Sequence, residues 1–149
     1  MQVKIKLVSG GILPKRKTYG ANCVDCYARL NQCDELNDEG ELEIKPHETK
    51  LIPLGFCVEL PIGYEMQIRP RSGLSCKGLV TELGTIDSDY RGEVGAIMNN
   101  RSNYPIFIMN GVRICQASVQ QSEKVDFLEV EELTDTERGT GGFGSTGTR

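Results

Sequence analysis

Apolar residues recur at every second position in one short stretch after another, and glycine or proline punctuates the stretches. Val3, Ile5 and Leu7 alternate with Gln2, Lys4 and Lys6. Leu42 and Ile44 alternate with Glu41, Glu43 and Lys45, and Tyr64, Met66 and Ile68 with Glu65, Gln67 and Arg69. A period of two places one set of side chains on one face of an extended chain, so each stretch reads as a half-buried strand. Leu51 to Leu60 is a longer apolar run broken by Pro53 and Gly55 and closed by Pro61-Ile62-Gly63, which suits edges and turns and not a helix interior. Pro105 to Met109, then Asn110-Gly111, then Val112 to Gln116 predicts strand, type I′ turn, strand. Val125 to Val130 predicts a last strand, and the only helical candidate is short, Leu74 to Leu79. Many short strands separated by turn signals predict an all-β sandwich or barrel.

The chain has 149 residues, enough for one domain or one domain with a tail, and long enough to fold without a metal or disulfide staple. No apolar run approaches the ~18 residues of a membrane helix, so no membrane partner is expected. A net charge of −4 argues against duplex DNA or RNA as a bulk partner, although a few local arginines can still hold a small anion. The first residues alternate and lack an apolar signal core, which predicts a cytoplasmic protein, or a host-cytoplasmic one if viral. The six cysteines, Cys23, Cys26, Cys33, Cys57, Cys76 and Cys115, are then expected as reduced, packed or half-buried thiols. Cys23 and Cys26 form a lone C-x-x-C with no second pair for zinc, and the single histidine, His47, argues against Ser-His or Cys-His catalysis.

Composition changes near the C-terminus. Residues 131–137 are polar, and the last twelve residues contain five glycines. Such a segment cannot order itself by burial, and a disordered tail is its plain reading. It nevertheless carries Arg138, Phe143, Ser145 and Thr146, groups that suit a phosphate and a planar ring. Gly139-x-Gly141-x-x-Gly144 imitates a dinucleotide fingerprint, but no strand–helix unit can follow it. Gly139-x4-Gly144-Ser145-Thr146 imitates a P-loop without its lysine. What survives is that glycine N–H groups and hydroxyls can wrap an oligophosphate.

Three more clusters carry chemistry. Pro70-Arg71-Ser72-Gly73-Leu74 leads into the short helix with an arginine, a hydroxyl and free N–H groups, the makings of an anion site. Gly84-Thr85-Ile86-Asp87-Ser88-Asp89-Tyr90-Arg91-Gly92-Glu93 packs carboxylates and a tyrosine into a turn, which alone would suit a solvated Asp-rich turn or a calcium loop lacking EF-hand spacing. Gly111 to Gln116 is a strand with a polar end, alone an ordinary hairpin surface.

In this order, the clusters resemble motifs two to five of the trimeric dUTP diphosphatases (dUTPases), over nearly the whole chain. Pro70–Leu74 matches the second motif, Gly84–Glu93 the third and most specific, Gly111–Gln116 the fourth and Arg138–Gly147 the fifth. The first motif departs: Asn22-Cys23 stand where the family usually has Ala-Gly, and Cys26 where it has Leu, while Asp25, Tyr27 and Ala28 match. Thr81 stands where members often carry an asparagine that contacts uracil.

The resemblance implies a jelly-roll-type β-barrel over residues 1–133, with one short helix, and a flexible glycine-rich arm over 134–149 that closes over a neighbouring subunit's site. It implies a homotrimer whose active sites are shared between subunits. The implied reaction is hydrolysis of dUTP to dUMP and pyrophosphate with Mg²⁺, keeping uracil out of DNA and supplying dUMP for thymidylate synthesis. Asp87 would orient water for in-line attack on the α-phosphorus. Arg71, Ser72, Gly73 and Gln116 would hold phosphates. Thr81, Gly84, Thr85 and Ile86 would offer backbone groups to uracil, and Tyr90 would stack on the deoxyribose. Asp25 would approach the metal through water. Arg138, Phe143, Gly144, Ser145 and Thr146 would close over the ligand. Two other readings share these features, a dCTP deaminase on the same fold and a nucleotide-sensing regulatory protein.

Overall fold

The computed structural model describes residues 1–142, and all its regular structure but one helical turn is β. The strands are β1 (Lys4–Leu7), β2 (Val24–Tyr27), β3 (Glu41–Ile44), β4 (Thr49–Pro53), β5 (Phe56–Glu59) and β6 (Tyr64–Arg69). After the turn of helix α1 (Ser72–Ser75) come β7 (Leu79–Thr81), β8 (Gly84–Ile86), β9 (Gly95–Asn100), β10 (Ile106–Met109) and β11 (Arg113–Gln121). They form four antiparallel sheets, ordered β2-β11-β6-β8, β4-β9-β7, β1-β5 and β10-β3.

One core lies between the sheets. Ile44, Ile52, Leu54, Phe56, Ile68, Val94, Met98 and Ile114 are all within 1% of complete burial, each stabilising the fold by roughly 1.5–3 kcal/mol. The expected alternation is plain in β6, where Met66 and Ile68 point inward between Glu65, Gln67 and Arg69. In β9 the inward set is Ala96, Met98 and Asn100. Asn100 is polar and fully buried, so its amide must be satisfied. Its Nδ2 donates to the carbonyls of Ile44 and Tyr104, at 2.9 and 2.7 Å, and its Oδ1 accepts from the Ser102 N–H and hydroxyl. That network locks β9 to β3.

Four expectations are corrected. The strands flanking Asn110-Gly111 do not pair with each other: β10 joins β3, and β11 lies between β2 and β6. A type I′ turn needs positive φ at both central residues, and only Gly111 has it, at +75°. Asn110 is occupied otherwise, its Oδ1 accepting the Leu30 N–H at 2.8 Å. The helix spans Ser72–Ser75 and not Leu74–Leu79, because Gly78 at φ +87° turns the chain into β7. Strand β1 forms, but its four residues are exposed on the rim of β5, where Lys4 pairs with Glu59 at 2.8 Å. Val125 to Val130 forms no strand. It pairs with no strand among the described residues, and Phe127 and Leu128 are 96% and 86% exposed. Among the described residues, no helix is long and apolar enough to cross a membrane.

Candidate active site

Cross-strand register brings three distant segments to one place. Asp25 on β2 lies opposite Gln116 on β11, and Gln116 lies opposite Arg69 on β6. Three residues past Arg69 the chain enters α1, so Arg71, Ser72 and Gly73 sit at the same end of the sheet. Arg71 itself is extended, and its carbonyl takes the N–H groups of Leu74 and Ser75. These five residues line an open cleft of about 240 Å³. Gln116 Nε2 donates to the Pro70 carbonyl at 2.9 Å, tying β11 to the helix entrance. A Cβ on Gly73 would meet nothing within 4 Å, so that glycine leaves the cleft wall open to close approach.

Charge in the cleft is organised around Asp25. Its Oδ2 is 2.8 Å from Arg113 Nη1, and its Oδ1 is 3.3 Å from Arg71 Nε. Arg71 Nη1 donates to the Arg113 carbonyl at 2.7 Å. One largely buried carboxylate thus holds two guanidinium groups, of which Arg71 lines the cleft, where it is suited to phosphate oxygens. Arg113 was not among the residues picked out from sequence. A bulge between Arg113 and Cys115 sets its register, and nothing local signals a bulge there.

Asp87 stands elsewhere. It follows β8 and borders a second cleft of about 340 Å³ with Tyr64, Glu65, Asp89, Ser122 and Lys124. Ile86 lies opposite Met66, so Asp87 is level with Glu65, four residues along β6 from Arg69 and one strand further across. With ~3.4 Å per residue and ~4.8 Å between strands, Asp87 and Gln116 of one chain are roughly 17 Å apart. The turn carrying Asp87 is braced by Arg91, whose guanidinium donates to the Ser88 and Tyr90 carbonyls. The Tyr90 hydroxyl donates to the Glu93 carbonyl at 3.1 Å.

Of the remaining sequence-derived residues, Gly84, Thr85 and Ile86 form β8, with Thr85 exposed. Thr81 is buried, and its hydroxyl donates to the Ile114 carbonyl at 3.3 Å, so only its main chain is free for other partners. Arg138 Nε donates to the Gly141 carbonyl at 2.8 Å within a local turn and reaches neither cleft. Phe143, Gly144, Ser145 and Thr146 lie outside the described residues.

A second pair that sequence reading missed is Arg29 with Glu93. Arg29 Nε and Nη2 grip the two carboxylate oxygens of Glu93 at 2.7 and 2.8 Å, and the Gly55 N–H adds a third bond at 2.9 Å. The Arg29 fork holds the Glu93 carboxyl below its ordinary range, and Glu93 raises Arg29 in turn. The available signal was a charged Arg29 between Ala28 and Leu30, both buried. Beside Asp25 and Gln116, Cys26 and Cys115 face each other across β2 and β11, and contact with the Cys26 thiol together with burial pushes the Cys115 thiol up.

Among the described residues, no three histidine, cysteine or carboxylate groups converge on a metal position. Asp25 is the carboxylate of the cleft, and two arginines already hold it. The donor set therefore suits a Mg²⁺ ion whose ligands come mainly from a polyphosphate and solvent.

Comparison with known proteins fits this geometry. The family described as dUTPase matches residues 35–147. Deoxyuridine 5'-triphosphate nucleotidohydrolases from Finegoldia magna and Treponema denticola are each 46% identical, over 99% of this chain and 99% of theirs. A point mutant of the Staphylococcus bacteriophage 80alpha dUTPase, solved with dUpNHpp, superposes with a TM-score of 0.83 at 25% identity, covering 98% of each chain. A mutant of the phage phi11 enzyme of S. aureus has the same fold, with a TM-score of 0.78 at 20% identity, and is described as coordinating a structural Mg(II) ion. The all-β jelly-roll architecture, the family match and relatives matched from end to end agree, and the chain belongs to the dUTPase family.

Proposed function

We propose that the protein hydrolyses dUTP to dUMP and pyrophosphate at sites shared between the subunits of a homotrimer. The observation that carries this reading is the cleft of Asp25, Arg71, Ser72, Gly73 and Gln116, on a chain 46% identical to two named dUTP nucleotidohydrolases.

Phosphoryl chemistry of this kind asks a protein for positioning, charge neutralisation and an oriented nucleophile. Arg71, Ser72, Gly73 and Gln116 bind the phosphates, and Asp25 keeps Arg71 and Arg113 aligned for them. Asp87 takes a proton from water as its oxygen bonds to the α-phosphorus. The bond from the α-phosphorus to the bridging oxygen breaks in line, and pyrophosphate leaves with that oxygen and the electron pair of the broken bond. Asp25 would hold a Mg²⁺ ion through water, and the ion, when bound, would supply neutralisation of phosphate charge. Main-chain groups of Thr81 and of Gly84–Ile86 face uracil, and Tyr90 packs on the deoxyribose. Residues 134–149 form the arm. Arg138, Phe143, Gly144, Ser145 and Thr146 close over the ligand, exclude water and add charge-assisted contacts. The product dUMP feeds thymidylate synthesis, and removal of dUTP keeps uracil out of DNA.

Distance and exposure support a site shared between subunits. Adjacent phosphorus atoms share one bridging oxygen, yet Asp87 and Gln116 of one chain stand roughly 17 Å apart. Such a separation supports different chains supplying the base and the phosphate cleft to one substrate. Leu51 and Ile97, directly opposite each other on β4 and β9, are 70% and 43% exposed, and Leu83 is exposed nearby in sequence to β7. With the exposed Val125, Phe127, Leu128 and Val130, they give each chain apolar surface that a second copy would cover.

Pyrophosphate release from dUTP, measured beside dCTP, dTTP and UTP with Mg²⁺ present, tests the reaction. Turnover of dUTP alone is expected. Ammonia release from dCTP would mark the deaminase of the same fold, and binding of dUTP without turnover would mark a nucleotide sensor.

A further inference from the structure

Tyr90 is held by residues that have no part in the chemistry above. Its ring lies against Gly92, where a Cβ would meet Tyr90 Oη at 2.3 Å and Cζ at 2.5 Å. The φ of Gly92 is outside the positive range, so that position needs glycine for room and not for backbone shape. The Tyr90 hydroxyl donates to the carbonyl of the next residue, Glu93. Glu93 is fixed in turn by the Arg29 fork and the Gly55 N–H. Arg29 is anchored from the opposite side of the molecule's sequence, its N–H bonded to the Pro53 carbonyl and its side chain only 8% exposed. Planar, two-point pairing of this kind fixes direction as well as distance.

A steric gate rejects a substrate only by the free energy needed to push the gate aside. A tyrosine on an unbraced exposed turn would yield to an added hydroxyl by a side-chain rotation. Here the ring is backed by Gly92, its hydroxyl is tied to Glu93, and Glu93 is clamped to the fold. We propose that Arg29, Gly92 and Glu93 form a seat that holds the Tyr90 ring in the position that excludes a ribose 2′-hydroxyl. Gly92 sets specificity through the space it leaves, and Arg29 and Glu93 are positioning residues. The inference rests on Tyr90 packing against the sugar, as read above.

The test measures kcat/KM for dUTP and for UTP in wild type and in Tyr90→Ala, Gly92→Ala, Glu93→Gln, Arg29→Gln and Arg29→Lys. Gly92→Ala is expected to lower the dUTP-to-UTP ratio by about tenfold, the scale of one methylene in a fitted pocket. In a Tyr90→Ala background it is expected to change the ratio no further. Glu93→Gln keeps the volume and an oxygen for Gly55 but loses the charged fork, and is expected to lower the ratio less. Arg29→Lys is expected to recover part of what Arg29→Gln loses. A merely structural role would lower thermal stability and leave the ratio untouched. If Tyr90→Ala lowers the ratio but Gly92→Ala does not, the seat is wrong and the gate stands. Should Gly92→Ala fail to fold, an unchanged ratio in folded Glu93→Gln overturns the seat equally. If Tyr90→Ala itself leaves the ratio unchanged, the gate falls and the seat with it.

Discussion

Replacing Arg29 by alanine strands the Glu93 carboxylate, and the cost follows from the geometry. The guanidinium makes two bonds of 2.7 and 2.8 Å to the carboxylate of Glu93, whose side chain is only 25% exposed. Breaking a fully buried ion pair by removing one partner costs ~3–5 kcal/mol. The partial exposure of Glu93 and its remaining bond from Gly55 favour the lower end, about 3 kcal/mol. At ~2–4 °C per kcal/mol for a chain of this size, Tm at pH 7 is expected to fall by roughly 6–12 °C. The pH dependence identifies the cause. Arg29 depresses the folded pKa of Glu93 below its ordinary value of 4.5, so this stabilisation is complete above pH 4.5 and is lost as pH falls through the depressed value. In Arg29→Ala the carboxyl regains its proton near or above its ordinary value, which relieves the stranded charge. The Tm gap between the two proteins is therefore expected to narrow from pH 7 to pH 4. Glu48, Glu59 and Glu65 are also held low, by bonds from the Lys45 N–H, Lys4 and Gln67, but both proteins share them and the difference cancels them. Thermal unfolding followed by circular dichroism at the two pH values reads the effect. A gap under ~1 kcal/mol, or one equally large at pH 4, would refute the reasoning.

Asp87→Asn is expected to retain dUTP binding and lose ~10²–10⁴-fold in kcat, since a carboxamide of the same shape cannot take the proton of water; steady-state kinetics with a binding titration check it. Truncation after Glu137 is expected to leave Tm nearly unchanged, because β11 ends at Gln121 and residues 123–140 are exposed, while kcat/KM for dUTP falls severely. Timed alkylation with mass-spectrometric readout is expected to label exposed Cys76 first in the native protein and to reach Cys26 and Cys115 only on unfolding, since both are fully buried.

The strands most legible in the sequence were those with one wet face. Residues 41–45 and 64–69 alternate cleanly because β3 and β6 bury Leu42, Ile44, Met66 and Ile68 and leave charged neighbours outside. Asn110-Gly111 announced a turn, but turn chemistry says nothing about which strands the flanks join, and those partners lie far back along the chain, in β3 for β10 and in β2 and β6 for β11. The run from Val125 to Val130 has the composition of a strand, and alternation cannot say which chain supplies the partner. Arg71, Ser72, Gly73 and Gln116 were legible as short motifs, and the register of β2, β11 and β6 unites them with Asp25. Arg113 with Asp25 and Arg29 with Glu93 were not, because each pair spans 88 and 64 residues respectively and exists only after the sheets form.

Subunit mixing tests the shared site most directly. Asp87→Asn and Arg71→Ala chains, each inactive alone, would be unfolded together in equal amounts and refolded, with subunit exchange verified by native mass spectrometry. If Asp87 and Arg71 of one site come from different chains, some sites in mixed trimers collect both intact residues. Random assembly then returns roughly a quarter of wild-type pyrophosphate release per site from dUTP. If both residues come from the same chain, no site can be whole, and a mixture as inactive as its parents contradicts the account.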